Sequence, residues 1–134
     1  MGSILAIASS GLAAASLRLQ VSASNVANAE DNGPLPDAAN ASNYPPAYVP
    51  QRVDQVAVAG GGTKAIVSNI SPSYTTAYDP TAPYADQSGN VAAPNVDLAN
   101  EAVQQITAKY EFAANAKVIQ VYSEMMKSLL DIKT

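Results

Sequence analysis

The sequence predicts a mainly α protein with a small β part, in which long N- and C-terminal helices pair as an antiparallel coiled coil. Two observations carry this prediction. Apolar side chains recur in steps of three and four at both ends of the chain, and proline and glycine gather between the ends. We therefore divide the chain into an N-terminal helix over residues 1–30, a loop-rich region with a small β-hairpin over 31–94, and a C-terminal helix over 95–134.

The C-terminal segment contains neither glycine nor proline from residue 95 onward. We expect Asn95 to be its N-cap, and Asp97 and Glu101 place negative charge where the helix dipole is positive. Such a helix is roughly 55 Å long at 1.5 Å per residue, which is more than a chain of this size can cover by folding around it. Its apolar stripe therefore predicts a partner of similar length. The stripe consists of Val103, Ile106, Tyr110, Ala114, Val118, Tyr122, Met125, Leu129 and Ile132.

The N-terminal segment, residues 3–30, offers such a partner. Large side chains spaced by seven, with small ones between them, are typical of a heptad seam. Gly33 and Pro34 end the pattern. The alternative interpretation is an ordinary amphipathic helix lying on its own domain. The large members of the seam are Leu5, Leu12, Leu19 and Val26, and the small positions hold Met1, Ala8, Ala15 and Ser22.

Asn25 and Asn28 are the unusual residues of this helix, because asparagine amides compete for backbone hydrogen bonds and disfavour helix interiors. One interpretation is that the helix frays here before it stops. The other is that one amide reaches across to the C-terminal helix or to a neighbouring subunit and fixes the register of the pair. We favour the second, with Asn25 beside the interface and Asn28 nearly a turn further along.

The middle of the chain combines loops with short strands. Residues 31–50 are rich in proline and are expected to form a loop. Valine and isoleucine are concentrated in residues 51–58 and 65–70, and the glycines at 60–62 between them can adopt positive φ. This pattern predicts a β-hairpin, which residues 74–78 can extend.

The stretch from Asp79 to Pro94 is expected to be irregular. Two of the connecting loops share single features with ligand-binding motifs. The Gly60–Lys64 loop lacks the order of a phosphate-binding loop, and no helical pattern follows it. The loop that begins at Asp86 lacks the central glycine and the bidentate glutamate of a calcium loop. We interpret both loops as turns.

The composition excludes several kinds of chemistry. The chain has no cysteine and no histidine, which excludes disulfides, thiolate nucleophiles and imidazole bases. Its 7 basic and 11 acidic residues give a net charge of −4 without a basic run, so nucleic acid and anionic membranes are poor partners. We predict no enzyme and no cofactor, and expect Glu101, Glu111 and Glu124 on solvated helix surface or in contacts between subunits. We also expect neither a cleaved signal peptide nor a membrane-spanning helix.

Two stretches of the sequence resemble bacterial flagellar axial proteins. The first has the order of their N-terminal signature and reads SGL at 10–12, RLQV at 18–21 and ASNVANAE at 23–30. The second is similar to basal-body rod proteins, and to the proximal rod proteins among them. It reads YDP at 78–80, AD at 85–86, GNV at 89–91, PNV at 94–96, YE at 110–111 and LLDI at 129–132. Asp31, where the family usually has threonine, and Ala82, where its HPDAD motif begins, depart from the pattern.

The resemblance implies a structural subunit of the flagellar rod in the periplasm, exported by the flagellar type III apparatus. Its terminal helices would polymerise with further copies and with other rod proteins into a hollow helical drive shaft. The alternatives are a distal-rod-like paralogue and a helical binding adaptor that forms closed oligomers. The expected assembly interface comprises Leu5, Leu12, Leu19, Asn25, Val26, Asn28, Val103, Ile106, Tyr110, Val118, Tyr122, Met125, Leu129 and Ile132.

Overall fold

The computed structural model describes residues 3–132. Within that range it contains two long helices and two separate antiparallel sheets of two strands each. The prediction of a mainly helical protein with a small β part is confirmed. The elements are α1 (Ile4–Ala27), β1 (Gln51–Ala57), β2 (Thr63–Asn69), β3 (Tyr74–Tyr78), β4 (Asn90–Pro94) and α2 (Leu98–Asp131), with a 3₁₀ turn at Ala41–Asn43.

Helix α1 is 24 residues long and is built largely from alanine, leucine and serine. Ser3 caps its N-terminus, because the Ser3 hydroxyl accepts a hydrogen bond from the Ala6 backbone N–H at 3.2 Å. The helix ends at Ala27, a few residues earlier than the sequence pattern predicts. Asn28 is the C-cap, and the chain turns away before Gly33 and Pro34.

Helix α2 has 34 residues and begins at Leu98. Its N-cap is Asp97 and not Asn95, so the predicted cap is wrong by two residues. The Asp97 carboxylate accepts hydrogen bonds from the backbone N–H groups of Ala99 and Asn100 at 3.0 and 3.1 Å. Asn95 lies outside the helix, where its side-chain amide donates to the carbonyl oxygen of Pro72 at 2.9 Å. A carboxylate next to the first turn also benefits from the helix dipole, which an amide does not.

The two sheets follow each other along the chain. Strands β1 and β2 pair from Gln51–Asn69 to Ala57–Thr63, and the three glycines between them have φ angles of 96°, 102° and 94°. Strand β3 does not extend this pair, contrary to the sequence-based expectation. It pairs instead with β4, which lies in the stretch that we expected to be irregular. Strand β4 is a short run of mostly small residues without alternating polarity, and a pattern of this kind does not reveal a strand.

The two helices contact each other in antiparallel orientation. Gly11 lies against Asn115, and Arg18 and Asn25 reach Glu111 and Glu101, so residue numbers rise along one helix as they fall along the other. Strands β1 and β2 pack on α1. The buried apolar residues are mostly small and lie along the helix pair and in β4. They are Ala8, Ala14, Ala15, Val21, Val91, Ala92 and Ala108.

The N-cap at Asp97 gives a direct test of the start of α2. Replacing Asp97 with alanine removes both acceptor contacts and the favourable charge, so the free energy of unfolding should fall by about 1 kcal/mol. Chemical denaturation monitored by circular dichroism measures this change. Asn95→Ala is the matched control, since it loses only one hydrogen bond at an exposed site. A larger loss for Asn95→Ala than for Asp97→Ala would contradict the assigned cap.

Candidate functional site

The face of α1 that contacts α2 is formed by small and polar side chains. It follows heptad spacing, but on the small positions of the predicted pattern. Ala8, Ala15 and Ser22 are almost completely buried. Leu5, Leu19 and Val26, which we expected at this seam, are between 41% and 46% exposed, and Leu12 is half-buried. The predicted large-residue seam is therefore wrong for the contact within the chain.

The face of α2 that contacts α1 is similarly polar and runs through Glu101, Ala108, Glu111 and Asn115. From Val103 to Val118 the predicted apolar stripe lies on other faces of the helix, and from Met125 onward it lies past the part of α2 that α1 accompanies. Of its members only Tyr122 is half-buried. The expectation that this stripe packs on α1 is thus wrong, and α2 presents it to solvent. Its exposed large side chains are Val103, Ile106, Tyr110, Val118, Met125, Leu129 and Ile132, with exposed fractions from 45% to 82%.

The helices approach each other closely where Gly11 faces Asn115. A Cβ atom added to Gly11 would lie 2.6 Å from the side-chain atoms of Asn115, which is far below a normal contact distance. The Asn115 side chain is itself held, because its amide donates to the Glu111 carbonyl oxygen at 2.8 Å. Glycine at position 11 therefore leaves room for the Asn115 side chain of the second helix, which any larger residue would have to displace, and its role does not depend on its backbone conformation.

An ion pair joins the middle of the two helices. Arg18 Nη1 lies 3.0 Å from Glu111 Oε1, and the Arg18 side chain is only 17% exposed. The second carboxylate oxygen of Glu111 accepts a hydrogen bond from Gln55 Nε2 of β1 at 3.5 Å. Glu111 therefore links α1, α2 and the first sheet. Glu124 is exposed, as expected, and accepts a hydrogen bond from Gln120 at 2.8 Å.

The most densely bonded group of the site is the Asn25 side chain, which is 1% exposed. Its amide nitrogen donates to Glu101 Oε1 and to the carbonyl oxygen of Gln51, both at 2.7 Å. Its amide oxygen accepts from the Gln51 backbone N–H at 3.0 Å and from the Tyr48 hydroxyl at 3.1 Å. This set uses both donors and both acceptor sites of the amide. We call Asn25, Glu101, Gln51 and Tyr48 the polar junction.

The polar junction connects both helices to the first strand. Glu101 is 6% exposed, so its expected place on solvated surface is wrong. The Ser22 hydroxyl adds a second link between the helices by donating to the Glu101 carbonyl oxygen at 3.1 Å. The amide of Asn25 does reach across to α2, whereas Asn28 donates to Ser24 of its own helix. Whether Asn25 also fixes the register of an assembly stays a prediction.

Two carboxylates in the loop between β3 and β4 accept hydrogen bonds from residues of the same loop and so stabilise its turns. The Thr81 hydroxyl and backbone N–H donate to Asp79, and this lowers the pKa of Asp79 below its usual value. The backbone N–H groups of Asn90 and Ser88 bind Asp86 at 2.8 Å and lower its pKa in the same way. Among residues 3–132, no group of three or more histidine, cysteine, aspartate or glutamate side chains could hold a metal ion.

Helix α1 is long and apolar enough to cross a membrane when judged by length and composition alone. Its contacts give another account of this composition. Arg18, Ser22 and Asn25 are all engaged with α2 or β1, and alanines fill the space between the two helices. The helix is thus integrated into the folded domain along the whole of its second half.

The polar junction predicts a large effect of a small substitution. Asn25→Ala removes four hydrogen bonds and leaves the buried Glu101 carboxyl group and the Gln51 backbone without these partners. The free energy of unfolding should therefore fall by about 2 kcal/mol or more. Urea denaturation of the purified chain measures this loss. Asn28→Ala is the control, because its amide bonds only within α1. Equal losses of stability for the two variants would show that the polar junction contributes no more to stability than the Asn28 hydrogen bonds within α1.

The close approach at Gly11 predicts an effect of unusual sign. In an isolated helix, Gly→Ala stabilises by about 1 kcal/mol. Here the added Cβ collides with Asn115, so Gly11→Ala should instead destabilise the chain by about 1–3 kcal/mol. Asn115→Ala in the same chain should recover much of that loss. A thermal melt of the two single variants and the double variant gives the coupling, and a stabilised Gly11→Ala chain would contradict this helix contact.

Comparison with known proteins relates this architecture to the bacterial flagellum. Residues 87–132 match a family model described as the C-terminal part of the flagellar basal body rod FlgEFG proteins. The flagellar basal-body rod protein FlgC of Salmonella typhimurium is 36% identical over 133 residues, which cover 96% of this chain and 95% of that protein. FlgC of Escherichia coli O157:H7 is 35% identical over 135 residues, with the same shares covered. FlgC of Borreliella burgdorferi is 31% identical over 142 residues, covering 94% of this chain and 93% of that protein. The chain belongs to the FlgC family of flagellar basal-body rod proteins.

Proposed function

We propose that this chain is a structural subunit of the proximal flagellar rod, in which its terminal helices polymerise into a hollow helical shaft. Its place in the basal-body rod follows from the FlgC relatives, which match almost the whole chain. The single observation that carries the polymerisation is the exposed apolar stripe of α2. A soluble monomer rarely exposes an apolar surface of this extent.

Burial of the apolar stripe against a partner is energetically favourable compared with its exposure to water. Complete burial of a leucine, isoleucine or methionine side chain stabilises by about 1.5–3 kcal/mol relative to its exposed state. Leu129, Ile132 and Met125 are each more than half exposed, and so are Val103, Ile106 and Tyr110 nearer the start of α2. Contacts with neighbouring subunits along this face are therefore the proposed source of rod stability. The exposed Leu5, Leu19 and Val26 of α1 offer a second apolar surface for the same purpose.

The contact between α1 and α2 supports the proposal that different faces of the helices bind within the chain and between subunits. Polar and small residues hold α1 against α2, so the large apolar residues are left for contacts between subunits. We propose that the paired helices form a coiled-coil core, from residues 1–30 and 95–134, to which the loop-rich region 31–94 is attached. The polar junction would fix the angle between this core and the first sheet.

The same proposal covers the route and the partners of the chain. A rod subunit crosses the periplasm as part of the basal body, and we propose that it arrives through the flagellar type III export apparatus without a cleaved signal peptide. Its partners would be further copies and other rod proteins. The role is structural, in keeping with the name that its FlgC relatives carry.

The exposed stripe predicts a substitution that separates folding from assembly. Ile106 is 56% exposed, so Ile106→Asp should change the stability of the free chain by less than about 0.5 kcal/mol. It should nevertheless abolish rod assembly, because an unpaired carboxylate would be buried between subunits. Swimming in soft agar and recovery of the chain in purified basal bodies measure the effect.

Lys127→Gln is the matched control, since it changes a charge at an exposed position away from the apolar face and should leave motility intact. A motile Ile106→Asp strain with normal basal bodies would show that the stripe does not contact neighbouring subunits.

A further inference from the structure

Helix α2 extends past the described start of α1. Gly11 lies against Asn115, so in an antiparallel pair Ile4 lies opposite residue 122, seven positions further along α2. Every residue from 123 to 132 is exposed. We call residues 123–132 the overhang. At 1.5 Å per residue it is about 15 Å long, or nearly three helical turns.

The overhang is strongly amphipathic. Its charged residues Glu124, Lys127 and Asp131 recur in steps of three and four on one face. The apolar face continues the seam that α2 presents to α1, because Asn115, Tyr122 and Leu129 are spaced by seven. The seam thus changes from polar to apolar at the point where α1 no longer accompanies it. The exposed apolar side chains of the overhang are Met125, Met126, Leu129, Leu130 and Ile132.

A groove that fits such a segment lies beside the α1–α2 contact. Ala15 and Ala108 form its floor and are each 1% exposed. Leu19 and Phe112 form its sides and are each 46% exposed. The cavity between them measures about 420 Å³ and is lined almost entirely by apolar atoms. Small residues at the floor and large residues at the sides leave room for methionine and leucine side chains to enter between the helices.

We propose that the overhang of one copy packs into the groove of a second copy of this chain. This inference rests on the proposed rod function and names the contact that the polymer would use. The overhang cannot fill the groove of its own copy, because the overhang and the α2 side of the groove belong to the same continuous helix. Phe112 and Leu129 are separated by 17 residues of continuous helix, or about 25 Å. A second copy, in contrast, can bring its α1–α2 groove against the overhang, at the point where α1 of the first copy ends.

This arrangement makes the contact heterologous. The donor surface and the acceptor surface are different parts of the molecule, so two copies that join still present one free overhang and one free groove. Such a contact adds subunits in one direction and does not close as a symmetric dimer. A heterologous contact produces a ring or an open helix, depending on the rotation between copies, and the open helix is the form that the proposed rod requires.

The absence of cysteine from the sequence makes disulfide cross-linking a clean test. Ser16 lines the groove and is exposed, and Leu129 is 61% exposed on the apolar face of the overhang. Rods purified from cells that carry the Ser16→Cys, Leu129→Cys double variant in place of the wild-type chain are oxidised and separated on a non-reducing gel. We expect a ladder of covalently joined copies that collapses to the monomer band on reduction, because a disulfide requires Cβ atoms within about 4.5 Å.

The control pairs Ser16→Cys with Glu124→Cys, which lies on the charged face of the same overhang and should give no ladder. Dimers that form from Leu129→Cys alone would show that overhangs pair with each other, and would overturn the inference. Assembled rods of the double variant that give no ladder, or give cross-links only to another rod protein, would also overturn it while leaving the proposed function intact.

If the double variant does not enter rods, the two single variants are expressed together, and a mixed disulfide between them is the expected result. Its absence from rods that contain both single variants would overturn the inference. A wild-type chain that is absent from purified basal bodies would instead contradict the proposed function itself.

Discussion

The hydrogen bonds of the Asn25 side chain are the interaction on which the arrangement of this protein depends. One amide group binds α2 through Glu101, β1 through both backbone groups of Gln51, and the proline-rich loop through Tyr48. A buried carboxyl group that had no donor would cost several kcal/mol, so Glu101 is tolerated in the interior only because Asn25 is there to bind it. The pairing of the helices and the position of the first sheet are therefore set at the same point.

This polar interior reverses the usual distribution of side chains in a helix pair. Gly11, Ala15 and Ala108 allow the helices to approach closely, and the Arg18–Glu111 pair adds a specific link between them. Polar contacts of this kind define a single register, since each donor must meet its own acceptor. The large apolar side chains remain outside. In the proposed rod, this distribution would leave the large apolar side chains available for contacts with neighbouring subunits.

The two sheets differ in their contacts with the rest of the protein. Strands β1 and β2 lie against α1, and Gln51 and Gln55 bind residues of the helix pair. Strands β3 and β4 bury Val91 and Ala92, and Gly33 pairs with Ala92 through the backbone in both directions. The loop after α1 is thus tied to the strand that leads into α2. The two helices are therefore held together both by their direct contact and by the Gly33–Ala92 backbone pair, which joins the loop after α1 to the strand before α2.

The sequence by itself determined the two long helices, the glycine turn between β1 and β2, and the flagellar family, because helical periodicity, turn chemistry and short motifs are local properties of the chain. It also singled out Asn25 as a residue in need of a partner. Only the tertiary structure decided which face of each helix points inward. A spacing of seven is shared by Leu5, Leu12 and Leu19 and by Ala8, Ala15 and Ser22, so the spacing does not say which set contacts α2. That choice depends on partners such as Asn25 and Glu101, which are 76 positions apart and become neighbours only when the helices pair.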